Sequence, residues 1–195
     1  YAHALKLRDE RDLVFVHPFN DAGVIAGQGT TALELLEDAP DIDTLLIPIG
    51  GGGLMAGMAI AAKAIKPNIR IFGVEAEMYP SFSAKRRGTN VSAGGQTIAE
   101  GIAVKQIGEL GFALADKLIE DVILVDEPGL ERAIALYVSA EKTVAEGAGA
   151  ASLAGAMKHR ERLHGRRVGL TLCGANVDSD VFARVLAGAG AAREA

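Results

Sequence analysis

Four consecutive glycines, Gly50 to Gly53, stand between a short apolar run, Thr44 to Ile49, and an alanine-rich stretch, Leu54 to Ile65, that reads as a helix. Without Cβ atoms, such a run lets successive backbone N–H groups turn toward one point, and the helix behind it adds the positive end of its dipole. A strand, a glycine turn and a helix in that order therefore predict a cradle for an anion such as a phosphate. The alternative is a tight strand-to-helix turn whose glycines only let it pack closely on a neighbour.

The same alternation continues along the chain. Apolar runs predict strands at Leu13 to Val16, Thr44 to Ile49, Arg70 to Val74, Val122 to Val125 and Arg167 to Leu172. Helical periodicity predicts a helix ending near Arg11, then Gly27 to Glu37, Leu54 to Ile65, Pro80 to Arg87, Ile107 to Lys117, Gly129 to Ala140, Gly149 to Leu163, and one from about Asp178. A polar loop is expected over Gly88 to Thr97, and the Gly/Ala-rich tail from Ala187 to Ala195 is expected to fray. Short strands that are apolar on both faces and separated by helices predict an α/β chain, a three-layer αβα arrangement around a mostly parallel twisted sheet.

Of the 195 residues, 49% are hydrophobic, and the net charge is −5 with both signs scattered. The sequence offers no basic stripe or aromatic ladder, so nucleic acid is not an expected partner. The charged opening segment, Tyr1 to Asp12, is unlike a signal peptide, and the absence of an initiator Met suggests that residues precede it. The uncharged run Leu45 to Ala62 is long enough for a membrane span, but Pro48 and the glycines would leave its backbone unpaired in lipid, so no membrane partner is expected. The single cysteine, Cys173, excludes an internal disulfide and fits a reducing cytoplasm. None of the four histidines, His3, His17, His159 and His164, has a metal or triad spacing, and His17 before Pro18 reads as structural.

Gly51, Gly53 and Ala56 satisfy a dinucleotide-binding fingerprint after a strand, and Glu75 ends the next strand where an acid would hold a ribose hydroxyl. A second pattern spans more of the chain. In order it comprises His17-Pro18-Phe19-Asn20-Asp21, Ile25-Ala26-Gly27-Gln28-Gly29-Thr30, Gly50 to Leu54, Thr97-Ile98-Ala99-Glu100-Gly101 and Leu172-Cys173-Gly174-Ala175-Asn176. From about Leu13 to Leu186 these segments resemble the threonine/serine dehydratase and serine racemase family, the tryptophan-synthase-β-like group of fold type II enzymes that use pyridoxal 5'-phosphate. Asn20 stands where that family usually has Asp.

The resemblance implies a fragment: residues 1–20 end a small domain, residues 21–190 form most of the large cofactor-binding domain, and residues 191–195 are a tail. It implies that Gly50, Gly51, Gly52, Gly53 and the Leu54 amide bind the cofactor phosphate. Cys173 would lie beside the pyridine nitrogen, where a neutral thiol is a weak hydrogen-bond partner and leaves the cofactor a mild electron sink. On residue type alone Cys173 is equally a small buried hydrophobe. Gly101 would approach the cofactor ring with its backbone, or be a plain turn glycine. Glu146 would lie near the ring, or be an acid favoured at a helix start. Glu75 corresponds to a cation ligand in some members, yet Ser81 stands where the divalent-metal members carry Asp, which leaves a weak monovalent site, or a simply solvated strand-end carboxylate.

The family's Schiff-base lysine lies before the glycine loop, within S-x-K-x-R-G. The only such string here, Ser83 to Gly88, follows the loop, and Lys85 within it reads as a solvated basic helix end. No catalytic lysine is therefore assigned in this chain, and the chain alone is expected to be inactive. For the parent enzyme the resemblance implies elimination of water from a small amino-acid substrate, L-threonine or L-serine, to a 2-oxo acid and ammonia, within a homo-oligomer. Serine racemase or another β-eliminating or β-replacing enzyme is the near alternative, and a Rossmann-type nucleotide-binding module the distant one.

Overall fold

A computed structural model describes residues 1–90 and 93–191. Four parallel strands form the sheet, β1 (Thr44–Pro48), β2 (Arg70–Ala76), β3 (Asp121–Val125) and β4 (Val168–Leu170), in the spatial order β3-β2-β1-β4. Leu46 pairs with Phe72 on one side and with Leu170 on the other. Period two along the strands sorts the apolar side chains to two faces. Leu45, Ile47 and Ile71 pack with helices α2 (Ala22–Asp38), α3 (Gly53–Ile65) and α5 (Glu109–Ala115), together with Phe82 of α4 (Ser81–Arg87). Leu46, Phe72 and Val74 pack with α6 (Glu127–Leu136), α7 (Gly147–Lys158) and α8 (Ser179–Ala191). The three-layer α/β reading holds: a sheet apolar on both faces is covered by helices on both.

The expected strand at Leu13 to Val16 does not form. This segment follows helix α1 (Ala2–Arg11), which buries none of its residues, and it pairs with no strand among the described residues. Val14 is 90% exposed. Apolar alternation gives a segment the capacity to be a strand, but pairing needs a neighbour with free edge groups.

Helix α2 starts five residues earlier than the expected Gly27, because the Asp21 carboxylate accepts hydrogen bonds from the amides of Gly23 (2.8 Å) and Val24 (3.0 Å). Its Gly29 meets Gly57 of α3 backbone to backbone: a Cβ on Gly29 would lie 3.1 Å from the Gly57 carbonyl oxygen, and one on Gly57 would overlap the Ile25 carbonyl. The segment Ile25 to Thr30 therefore carries a helix crossing that sets where α3, and with it the glycine loop, sits. Helix α6 is shorter than expected and passes into a π turn over Tyr137–Glu141, and α7 stops at Lys158 before a 3-10 turn over Arg160–Leu163. The expected tail from Ala187 is helical through Ala191, and 192–195 lie outside the described residues, as do 91–92 of the expected polar loop.

Candidate functional site

The chain steps from β1 to β2 to β3 in one direction and then returns to place β4 on the far side of β1. Ligands of open α/β sheets bind where strand order reverses, outside the carboxyl ends of the two strands. Here those ends lead into Gly50 to Gly53 and into Cys173.

Gly52 has φ of +91°, in the left-handed region that a residue with a Cβ rarely adopts, and caps the start of α3. The amides of Gly50, Gly51, Gly52, Gly53 and Leu54 donate to no backbone or side-chain acceptor among the described residues. Gly51, Gly52 and Gly53 are buried. Five successive donors, three of them on buried residues, at a helix N-terminus have the chemistry that suits an anion.

The neighbouring groups close up around this loop. A Cβ on Gly50 would lie 3.0 Å from Ile102 Cα and 3.2 Å from the Gly101 carbonyl. One on Gly101 would lie 3.1 Å from Glu146 Oε1, and one on Gly174 would lie 2.5 Å from the same oxygen. Cys173 Sγ lies 4.0 Å from the Ala148 carbonyl. Gly50, Gly101, Glu146 and the Cys173-Gly174 turn thus form one continuous set of contacts beside the switch in strand order. A cavity of about 980 Å³ opens beside it, lined among others by Thr97, Gly101, Glu146 and Asn176.

Glu146 is the N-cap residue of α7, as the helix-start reading expects, but its side chain does not cap the helix. Its Oε2 accepts from the Asn176 amide at 2.8 Å, while its own amide donates to the Gly174 carbonyl at 3.1 Å. One carboxylate therefore fixes the turn that follows β4. Cys173 is exposed as a residue, yet burial of its sulfur pushes the thiol up, and the nearby Glu146 carboxylate adds to the shift. The thiol stays neutral at physiological pH. Burial, and then the charge of Cys173, pushes the Tyr137 phenol at the head of the π turn upward. Sequence patterning gave no sign of Tyr137, because the π turn that positions it has no local signature.

Glu75 departs from the solvated reading. It is 0% exposed; Oε1 accepts from the Phe82 amide at 2.6 Å and Oε2 from the Ser83 amide at 3.0 Å. Ser81, Phe82 and Ser83 open α4, whose own N-cap Pro80 offers no side-chain acceptor, so Glu75 satisfies the helix start from a distance. A carboxylate so engaged is unavailable to a ribose hydroxyl, which removes the acid that a dinucleotide reading requires. Among the described residues no three His, Cys, Asp or Glu side chains gather as a metal site.

Burial pushes the Glu75 carboxyl above its ordinary 4.5, with the Ser83 hydroxyl and the two amides pulling against it. Since the folded pKa is raised, the stabilisation from its proton is fully present below the unfolded pKa and is lost as pH rises through the folded one. Glu75→Gln lacks this titration. The difference in melting temperature, wild type minus variant, is expected to fall as pH rises above the ordinary 4.5, and thermal melts at a series of pH values check it.

Lys85 forms an ion pair with Glu109, and its ammonium lies 4.9 Å from the centre of the Phe112 ring. It lies in the basic last turn of α4 as expected, but it serves the α4–α5 contact rather than being simply solvated.

Residues 1–174 match the family described as "Pyridoxal-phosphate dependent enzyme". The chain belongs to that family. It is 40% identical over 188 residues to the L-threonine ammonia-lyase of Thermotoga maritima, a match that covers 95% of this chain and 47% of that protein. Among solved structures, the processed form of threonine deaminase isoform 2 from Solanum lycopersicum aligns with a TM-score of 0.89 and 35% identity, over 97% of this chain and 53% of that one. Maize serine racemase aligns with a TM-score of 0.85 and 34% identity, over 96% and 60%. The chain spans about half the length of these family members. Its strand order is compatible with a dinucleotide fold too, so membership of the family, together with the burial of Glu75, sets the Rossmann reading aside. No described helix is long and apolar enough to cross a membrane.

Proposed function

We propose that this chain is the greater part of the cofactor-binding domain of an L-threonine or L-serine ammonia-lyase, with residues 1–20 ending a smaller domain and residues 21–190 lying within the larger one. The reading is carried by the five unpartnered amides of Gly50 to Leu54 at the switch in strand order. They suit a phosphate dianion, and the family supplies a ligand that ends in one. Pyridoxal phosphate, when bound, supplies an electron sink for the pair released from the substrate Cα–H bond. The chain's own residues would hold it: the loop amides would take the phosphate, Gly101 would leave room for the ring, Glu146 holds the turn after β4, and the neutral Cys173 thiol would give a ring nitrogen no charge partner. A ring nitrogen left without a strong acid or anion keeps the electron sink mild, which suits loss of a β-hydroxyl.

The similarity to maize serine racemase favours one second reading, racemisation of serine at the same site. The same proposal includes a monovalent cation beside Glu75, because a carboxylate wholly out of water with two amide partners is stabilised in its ionised form by positive charge. Potassium or sodium that leaves the melting temperature unchanged at alkaline pH would remove that part. A homo-oligomer, read by sedimentation, and the reducing cytoplasm that a free thiol suits complete the reading.

Calorimetric titration of the chain with pyridoxal phosphate, and in parallel with NADH, tests the function. Saturable binding of the first alone is expected, and the opposite pattern would overturn the proposal. The chain mixed with cofactor and L-threonine is expected to yield no 2-oxobutanoate beyond the cofactor-only rate. The protein that carries this chain is expected to produce 2-oxobutanoate, whereas D-serine from L-serine would favour the racemase. Lys85→Met is expected to leave cofactor affinity unchanged, because the ammonium it removes is committed to Glu109.

A further inference from the structure

The lower side of the glycine loop rests on a turn distant in sequence. His17 Nδ1 accepts hydrogen bonds from the Asn20 amide at 3.0 Å and the Phe19 amide at 3.4 Å, so its ring proton sits on Nε2. The ring is seated among aromatic neighbours, with the Phe19 centroid at 4.6 Å, Phe15 at 6.0 Å and Tyr1 at 6.1 Å. Phe19, held by this turn, lies against the loop: a Cβ on Gly51 would enter its ring, nearly equidistant from Cγ, Cδ1 and Cδ2, and one on Gly53 would lie 2.9 Å from the Phe19 carbonyl. Equal spacing from those three carbons places the Gly51 Hα over the face of the ring.

The next residue extends the support. Asn20 Oδ1 accepts from the Leu110 amide at 3.0 Å, and the Gly108 amide donates to the Gly51 carbonyl at 3.0 Å. An amide oxygen serves as well as a carboxylate for that bond. The loop's carbonyl side is thereby tied to the start of α5 and its Cα side to Phe19, and its amides bond to neither.

We propose that His17 is a positioning residue: through its two hydrogen bonds it holds Phe19 under Gly51 and so keeps the amides of Gly50 to Leu54 in their anion-binding arrangement. The inference rests on the phosphate-cradle reading, deepening it by naming what shapes the cradle. Its first test needs no ligand. In nuclear magnetic resonance of the chain, one Gly51 Hα is expected strongly upfield from the Phe19 ring current, and Phe19→Ala, which removes the ring, verifies the assignment. His17→Ala is expected to return that resonance toward its ordinary position, and His17→Asn, whose side-chain oxygen can replace Nδ1 as acceptor, to keep it upfield.

In calorimetry with pyridoxal phosphate, His17→Ala is expected to bind about tenfold more weakly, the scale of one ordering hydrogen bond, with His17→Asn restoring most of the loss. A Gly51 resonance in His17→Ala that matches wild type would overturn the inference, even if the variant melts at a lower temperature, since a merely structural histidine would do that. Full affinity in His17→Ala would overturn it as well. Absence of cofactor binding in the wild type would instead strike the cradle reading, and the Gly51 signal would then decide the mechanical link alone.

Discussion

Gly57→Val is expected to destabilise the chain by about 3 kcal/mol or more, the upper range of overpacking. The reason is local. The added Cβ would lie 2.2 Å from the Ile25 carbonyl oxygen, 2.7 Å from the Gly29 amide nitrogen and 2.9 Å from Gln28 Cβ, so backbone must move on both helices. No rotamer of valine avoids this, because the collision is at Cβ itself. Against a total stability of roughly 5–15 kcal/mol for a natural domain, that loss is large. Urea unfolding followed by circular dichroism measures it: a midpoint within error of wild type would mean that α2 and α3 cross elsewhere. Separation of these helices would also displace the start of α3, so the variant is expected to lose anion binding at concentrations of urea where the remaining helices persist.

The second large effect is expected at Gly52. Its φ of +91° is disfavoured for any residue with a Cβ and more so for a β-branched one, and the added atom would stand 2.9 Å from Ile107 Cδ1. A strained backbone of this kind costs about 1–3 kcal/mol, which the loop can relieve by rotating its peptide planes. Rotation turns amides away from the common point, so Gly52→Val is expected to weaken pyridoxal phosphate binding by about a hundredfold, equivalent to about 2.7 kcal/mol. Global stability should change less, because the loop is not the core. Calorimetric titration beside a thermal melt separates the two quantities. Unchanged affinity would show that the backbone arrangement at Gly52 is not what holds the ligand.

Much of this was legible in the sequence because it is local. The strand, glycine turn and helix from Thr44 to Ile65 form as read, and the parallel sheet follows from strands apolar on both faces. Nothing local says that Leu13 to Val16 lacks a pairing neighbour. The early start of α2 was written in Asp21, a good N-cap, but Gly23, Gly27 and Gly29 weaken the helical signal over that stretch. Glu75 looked like an exposed strand end because the residues that enclose it, Phe82 and Ser83, belong to a helix whose docking is tertiary. Phe19 and Gly51 lie more than thirty positions apart, and only the folded chain shows that the ring and the glycine require each other. The five family segments were recognisable by their order and spacing rather than singly. That Gly50, Gly101 and the Cys173-Gly174 turn meet around Glu146, while Ile25 to Thr30 serves the α2–α3 crossing, is visible only in the folded chain.

The most direct measurement is a residue-resolved one. Titrating isotopically labelled chain with pyridoxal phosphate, and following backbone amide resonances, is expected to shift Gly50 through Leu54 first and most, with smaller changes at Gly101 and Cys173. Shifts that cluster elsewhere and leave those five amides unmoved would contradict the account.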